Sequence, residues 1–339
     1  MRLLLCGDWL GKEGIYEARI KRVHLLDSLT DLKPLRLGFL VLSYHLAEET
    51  LNLSLKSSLY PKIILLEIED FLVFSYSPKN IKLEFLYSFF SPDSYKKAVG
   101  KVKEYISEGT VYQVNLTNRF EYALEGSPID LFLNYYRKQP VPYAFFLDLG
   151  DFYLLSGSME LFLKKKRHIL LSKPIKGTAK SREELEKSQK DKAENLMITD
   201  MVRNDLSRVA LCGSVKVKEL FKIEEFKTLF QMHSSVVART KENISKILFE
   251  TFPPASVVGA PKRKAVEIID LLEPHSRDYY CGCGGIINGE DFTLSVLIRS
   301  AIGSKQRLSY FAGAGIVYDS DPEREWEEVL LKKKAFSGF

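Results

Sequence analysis

The chain of 339 residues is 45% hydrophobic and 27% charged with a formal net charge of +5, a composition that supports one large core or two smaller ones. No apolar run is long enough to cross a bilayer, and the lysines at 164–166 and 332–334 sit in amphipathic text, so a membrane span and a nucleic-acid surface are both excluded. Cys6, Cys212, Cys281 and Cys283 are too few and too unevenly spread for a disulfide framework or a zinc site, so a cytoplasmic protein with reduced thiols is expected.

Residues 1–91 alternate short apolar runs with polar breaks, LRLGFLVLSYHL and PKIILLEIEDFLVFSY among them, and read as strands. No chemistry is legible there. From Ser91 the text predicts a capped helix with Tyr95, Val99, Val102 and Ile106 on one stripe and Gly109 as its stop; VYQVNLTNRFEYAL then reads as a strand. Two β-rich stretches, 142–175 and 279–318, flank a helical middle whose longest element is expected from about Glu183 to Val209. Strands in hairpin-like runs, instead of strands separated by helices, favour antiparallel sheets with helices outside, an α+β fold. With no repeat and no low-complexity linker, the regions 1–91 and 92–339 are expected to interleave.

The chemistry-bearing text begins at Lys173-Pro174-Ile175-Lys176-Gly177-Thr178, where a lysine beside a glycine turn is either a surface group or a nucleophile. On the middle helix Glu194 shares a face with Met197, Ile198 and Met201, as a boundary residue or as a metal ligand. A strand carries Thr293, Ser295, Leu297 and Arg299 on one face, and an arginine at the end of a buried strand needs an anionic partner. Gly313-Ala314-Gly315 puts two bare positions on one side of a pleat, which suits either a tight packing contact or a ligand against the backbone. Ser320-Asp321-Pro322-Glu323 predicts the start of a helix on which Glu325, Glu328 and Lys332 fall on one face. Acid in a first turn also serves as dipole compensation.

Taken in order, the blocks YQVNLTNRF, GSMELF, KPIKGTAKS, AENLMITDMVRNDLSRV, QMHSSV, TFPPASVVGAPKRKAVEII, YYCGCGGI, LSVLIRS and YFAGAGIVYDSDPEREWEEVLLKKKAF resemble the chorismate-utilising enzymes, over about residues 92–336. The resemblance implies a four-layer α/β/β/α sandwich of two antiparallel sheets with the active site between them. It implies Mg²⁺ as cofactor, held by Glu194, Glu325 and Glu328 and bridging to the ring carboxylate of chorismate. Tyr280 and Arg299 match the clamp on the enolpyruvyl carboxylate, and Gly177, Thr178, Gly313 and Gly315 match contacts to the ring carboxylate. Glu160 matches the general acid for the departing hydroxyl, and His233 matches a histidine near the reacting ring. Lys332 and Gln113 are expected to line the substrate.

Within the family, isochorismate and salicylate synthases carry a water-activating lysine where Gln113 stands, and an amide is no base. Anthranilate synthases resemble PIAGT in the lysine loop, whereas PIKGT resembles the aminodeoxychorismate synthases, whose lysine adds to carbon 2 of chorismate. The resemblance therefore implies the component I type that makes 4-amino-4-deoxychorismate for folate synthesis. Anthranilate synthase component I and a catalytically silent chorismate-binding protein are the alternatives. With no lyase or glutaminase text in the chain, ammonia is expected from a separate glutamine amidotransferase subunit. Relatives carry a longer N-terminal region with a tryptophan pocket; only something like its end, from Leu37 to Tyr44, is legible here, and Leu25-Leu26-Asp27-Ser28 is a short echo of the pocket.

Overall fold

The computed structural model describes residues 1–227 and 229–338, so Thr228 and Phe339 of the 92–339 region lie outside the described residues. Among the described residues eighteen strands form one hydrogen-bonded ribbon, and every pairing between them is antiparallel. The ribbon folds back on itself through the long strands Ile15–Leu26 and Ile63–Val73, which pair with each other along their length and shift register near Ala18, Ile20 and Arg22. Bulges of this kind bend a strand, and the bend lets one ladder serve two layers. The expected two sheets are thus continuous with each other.

In the first layer the strands run Lys82–Ser88, Gln113–Glu125, Arg307–Ile316, Ser300–Ser304, Tyr153–Ser158, Tyr143–Asp148 and Arg2–Gly7. The second runs Gly38–Leu42, Cys283–Asn288, Asp291–Val296, Leu161–Lys166, Ile169–Lys173, Phe230–Arg239 and Lys216–Glu225. Strands of the first 91 residues pair with later ones in both layers, Arg2–Gly7 with Tyr143–Asp148 and Gly38–Leu42 with Cys283–Asn288.

Alternation along Gly38–Leu42 shows how the layers stack. Phe39 and Val41 enter the core between the sheets, where the Phe39 ring meets Phe145 at 5.0 Å, while Leu40 and Leu42 face the helices on the other side. Helices Pro92–Ser107, Pro128–Lys138 and Pro322–Ser337 cover the first layer, with Phe132 stacked on Phe146 and Phe336 on Tyr310. The helix Gln189–Ser207 covers the second through Ile198, Val202 and Leu206. The result is the α+β architecture with helices outside and sheets within.

Local signals set most of the boundaries. Ser91 and Ser94 form a reciprocal capping box at the helix Pro92–Ser107, and Asp321 accepts from Arg324 N at the start of Pro322–Ser337. Two expectations are corrected. The helix expected from about Glu183 to Val209 is two helices, Arg182–Lys187 and Gln189–Ser207, because Ser188 takes extended backbone and caps the second by accepting from Asp191 N. The strand expected to carry Leu297 and Arg299 stops at Val296, and Arg299 sits at φ 52 in the corner between Asp291–Val296 and Ser300–Ser304. Those two strands belong to different layers, so this corner is where the chain crosses between them.

Candidate active site

Glu160 lies in the short link between the strands Tyr153–Ser158 and Leu161–Lys166. Its backbone is pinned on both sides: its N–H donates to Ser158 Oγ at 3.2 Å, and its carbonyl accepts from Val296 N at 3.1 Å. The side chain is buried, and that burial pushes the carboxyl up to about 7 against the opposing pull of a hydrogen bond from Ser256, the charge of Lys176 and the Ile175 backbone N–H. A carboxyl poised there is half-protonated near neutrality, the condition a general acid needs.

Lys176 is on the strand Ile175–Ala179, which leaves a regular register between Ile175 and Thr178 where it pairs with Phe230–Arg239. Gly177 takes φ 92 in that irregular stretch, a value that a side chain would strain. The Lys176 ammonium points across to the first layer, 3.5 Å from Asn115 Oδ1 and 3.9 Å from Glu194 Oε2. It passes over Gly315, where a Cβ would stand 3.1 Å from Lys176 Nζ and 2.7 Å from Gln113 Nε2. Gly313 is closed from the other side, since a Cβ there would meet Leu116 O at 2.7 Å. The two glycines thus serve the packing contact and the close approach at once.

Glu194 is half-buried and accepts from Gln113 Nε2 at 3.3 Å, leaving the buried Gln113 Oε1 without a partner. Across the gap, Glu325 in the first turn of Pro322–Ser337 accepts from Ser320 Oγ at 2.7 Å. Lys190 bridges the two helices, 3.9 Å from Glu194 Oε1 and 3.8 Å from Glu325 Oε1. Burial, and then the like charges of Glu328 and Glu194, raise the Glu325 carboxyl, while Ser320 and Lys190 oppose the rise. The Glu328 carboxyl, which is half exposed, is pushed up by partial burial but held below the usual carboxylate range by Lys332, with Lys176 and Lys190 adding to the pull. Lys332 donates to Glu328 Oε1 at 2.6 Å and to the Gly313 carbonyl at 2.7 Å. Three carboxylates that repel one another are a hard-oxygen donor set of the kind Mg²⁺ takes. Among the described residues no three acidic, histidine or cysteine groups stand close enough to hold an ion as they are, because lysines lie between them.

Tyr280, Arg299, Thr178 and His233 complete the set of expected residues. Tyr280 is buried and stacked on Phe311 at 5.2 Å, within electrostatic reach of Arg299. Burial alone would lower the Arg299 guanidinium, yet the ring hydroxyls of Tyr310, Tyr135 and Tyr280 hold it above its ordinary value. Thr178 is exposed at the rim. His233 faces inward on Phe230–Arg239, opposite Ile175, with Nε2 3.3 Å from Glu224 Oε2 but poorly aligned for a hydrogen bond, so neither ring nitrogen is satisfied.

Lys190, Asn115 and Ser256 also belong to the centre and carry no role in the sequence reading. Lys190 stands four residues before Glu194, a helical spacing that marks a salt bridge. Asn115 and Ser256 lie inside the blocks YQVNLT and PPASVV with no local pattern to set them apart; only the tertiary fold brings the Ser256 loop to Glu160.

Glu160 leads to a stability prediction. Its folded pKa of about 7 lies above the ordinary 4.5, so its favourable contribution is complete below pH 4.5 and lost as pH rises through 7, about 3 kcal/mol in all. Glu160→Gln, which cannot ionise, is expected to melt above the parent at pH 8 and to lose that advantage near pH 4. Identical pH dependence of melting in the two proteins would refute the burial of the charge.

The chain matches the model for chorismate binding enzyme over residues 41–338. It is 38% identical over 269 residues to anthranilate synthase component 1 of Saccharolobus solfataricus, covering 76% of this chain and 64% of that protein. To aminodeoxychorismate synthase component 1 of Escherichia coli it is also 38% identical, over 253 residues, 71% of this chain and 56% of that one. The chain therefore spans less than two thirds of the length of these relatives. Its fold is similar to anthranilate synthase component I from Streptococcus pneumoniae, with a TM-score of 0.81 at 23% identity, over 99% of this chain and 90% of that one.

Proposed function

Because the chain belongs to the chorismate binding enzyme family, we propose that it is an aminodeoxychorismate synthase of the component I type, which replaces the carbon 4 hydroxyl of chorismate with an amino group. The observation that carries this reading is the Lys176 amine, set over the bare backbone of Gly315 with the buried acid Glu160 within electrostatic reach. An alanine at that position would leave the site without a nucleophile.

The neutral amine of Lys176 adds to carbon 2, the ring double bonds shift, and the carbon 4–oxygen bond breaks. Glu160 gives its proton to the departing hydroxide, which leaves as water. Ammonia then adds at carbon 4, the double bonds shift back, and the bond from carbon 2 to Lys176 breaks to regenerate the free amine. The proton shed by the incoming nitrogen returns to Glu160, so chorismate and ammonia give 4-amino-4-deoxychorismate and water with the enzyme restored. Arg299 and Tyr280 would hold the enolpyruvyl carboxylate, and an arginine fork suits a planar anion. Mg²⁺, held by Glu194, Glu325 and Glu328 once Lys190 and Lys332 release them, would neutralise the ring carboxylate. Ammonia would come from a separate amidotransferase subunit, as the component 1 names of the relatives suggest.

Purified protein with chorismate, Mg²⁺ and ammonium, read by mass spectrometry, is expected to yield aminodeoxychorismate, which an added lyase converts to 4-aminobenzoate. Glutamine in place of ammonium should give nothing. Direct formation of fluorescent anthranilate would assign the chain to the other branch, which the Saccharolobus relative represents. Unchanged chorismate under all conditions would mark a silent binder.

A further inference from the structure

Behind the candidate site lies a fully buried ion pair that the reaction scheme does not use. Arg277 and Glu273 are each 1% exposed and meet through Arg277 Nη2 to Glu273 Oε1 at 2.6 Å and Nε to Oε2 at 2.9 Å. Their spare hydrogen-bonding capacity goes to the backbone around the site. Glu273 Oε1 accepts from the N–H and the hydroxyl of Thr117 at 2.8 and 2.9 Å. Arg277 donates to the Asn115 carbonyl at 2.6 Å and to the Val257 carbonyl at 3.1 Å. The pair therefore grips two segments at once: the strand that faces Gly313 and Gly315, and the loop that carries Ser256.

Asn115 joins those segments from the front. Its N–H donates to Val258 O at 2.8 Å and its Nδ2 to Ser256 O at 3.1 Å, which leaves Oδ1 facing the Lys176 ammonium at 3.5 Å. The amide cannot turn over without losing both side-chain contacts, because Nδ2 would then face the ammonium and Oδ1 would face a carbonyl. Ser256 in turn donates to Glu160. One side chain thus spans the segments that hold the amine and the acid.

We infer that Asn115, anchored from behind by the Arg277–Glu273 pair, is a positioning residue that sets the Lys176 amine relative to the Ser256–Glu160 arm. The inference rests on the proposed function for its chemical consequence, but the placement of the amine can be read without turnover. A buried pair fixes its segments firmly, because loss of either partner strands a charge; Asn115, which is only partly buried, is the gentler place to intervene.

The test compares the parent, Asn115→Ala and Asn115→Asp. Asp keeps an acceptor toward Lys176 but loses the donor to Ser256. In chorismate without ammonia, Asn115→Ala is expected to form the Lys176 adduct at least tenfold more slowly, with chorismate affinity within threefold of the parent and an unchanged melting temperature. The pattern should reappear in turnover as a loss in kcat with KM little moved. Without chorismate, labelling of Lys176 by an amine-reactive reagent at a single pH should be faster in Asn115→Ala, because the amine is no longer tethered. Asn115→Asp should retain the slow labelling yet remain impaired in turnover. Adduct formation and labelling within twofold of the parent in Asn115→Ala would overturn the inference. If the parent itself forms no adduct, the proposed reaction fails, and the labelling comparison alone decides whether Asn115 places the amine.

Discussion

Lys176→Ala is expected to abolish the covalent adduct and to cut aminodeoxychorismate formation on the order of 1,000-fold, the scale of loss when a nucleophile is removed. Chorismate affinity should stay within a few-fold of the parent, because Arg299, Tyr280 and the glutamates are untouched. The adduct itself is a sharp observable: incubation with chorismate but no ammonia should leave the parent heavier by chorismate less one water, on the peptide containing Lys176. Glu160→Gln should block the same step from the other side, since the hydroxide would then leave without a proton. Turnover in the parent should decline as pH rises past about 7, where Glu160 loses that proton. If Lys176→Ala makes aminodeoxychorismate at the parent's rate, ammonia attacks directly and the lysine is a spectator.

The meeting of Lys176 with Gly315 of the other layer shows which features the sequence could reveal. Caps, alternation and turn residues act within a few positions, so the capped helix at Ser91 and the helix at Asp321 follow from local text. The break at Ser188 escapes because no proline or glycine marks it, and only the cap geometry ends one helix and starts the next. The fold of the ribbon through Ile15–Leu26 and Ile63–Val73 is equally hidden, since a register shift leaves no compositional mark.

The candidate site shows the same division. Glu325, Glu328 and Lys332 share a helix face, and spacing alone groups them. That Lys176 would meet Gly315, or Asn115 would link Ser256 to the lysine, depends on which strands become neighbours across two layers, and no local pattern encodes it. The resemblance between blocks supplied the roles. The geometry then brings Lys176, Glu160, Glu194 and Gln113 together, while the ion-pair partner it gives His233 is Glu224.

Glu328→Gln is expected to fold as the parent does and to lose turnover by about 100-fold or more at fixed Mg²⁺, since even outer partners of metal ligands cost 10–100-fold. The side chain is 45% exposed and its one tight partner is Lys332, so folding should not depend on it. Loss of activity alone would not distinguish a ligand from a structural ion pair, and Lys190 supplies the contrast. Its ammonium lies 3.9 Å from Glu194 and 3.8 Å from Glu325, in the space a divalent ion would take. If the carboxylates serve a cation, Lys190→Met removes a competitor and should lower the Mg²⁺ concentration that gives half-maximal rate. If they serve only as ion-pair partners, Lys190→Met should impair the protein in the same direction as Glu328→Gln, and added Mg²⁺ should restore neither. Full activity in the parent after exhaustive chelation would remove the metal from the reaction altogether and leave Lys190 and Lys332 as the permanent counterions of the three glutamates.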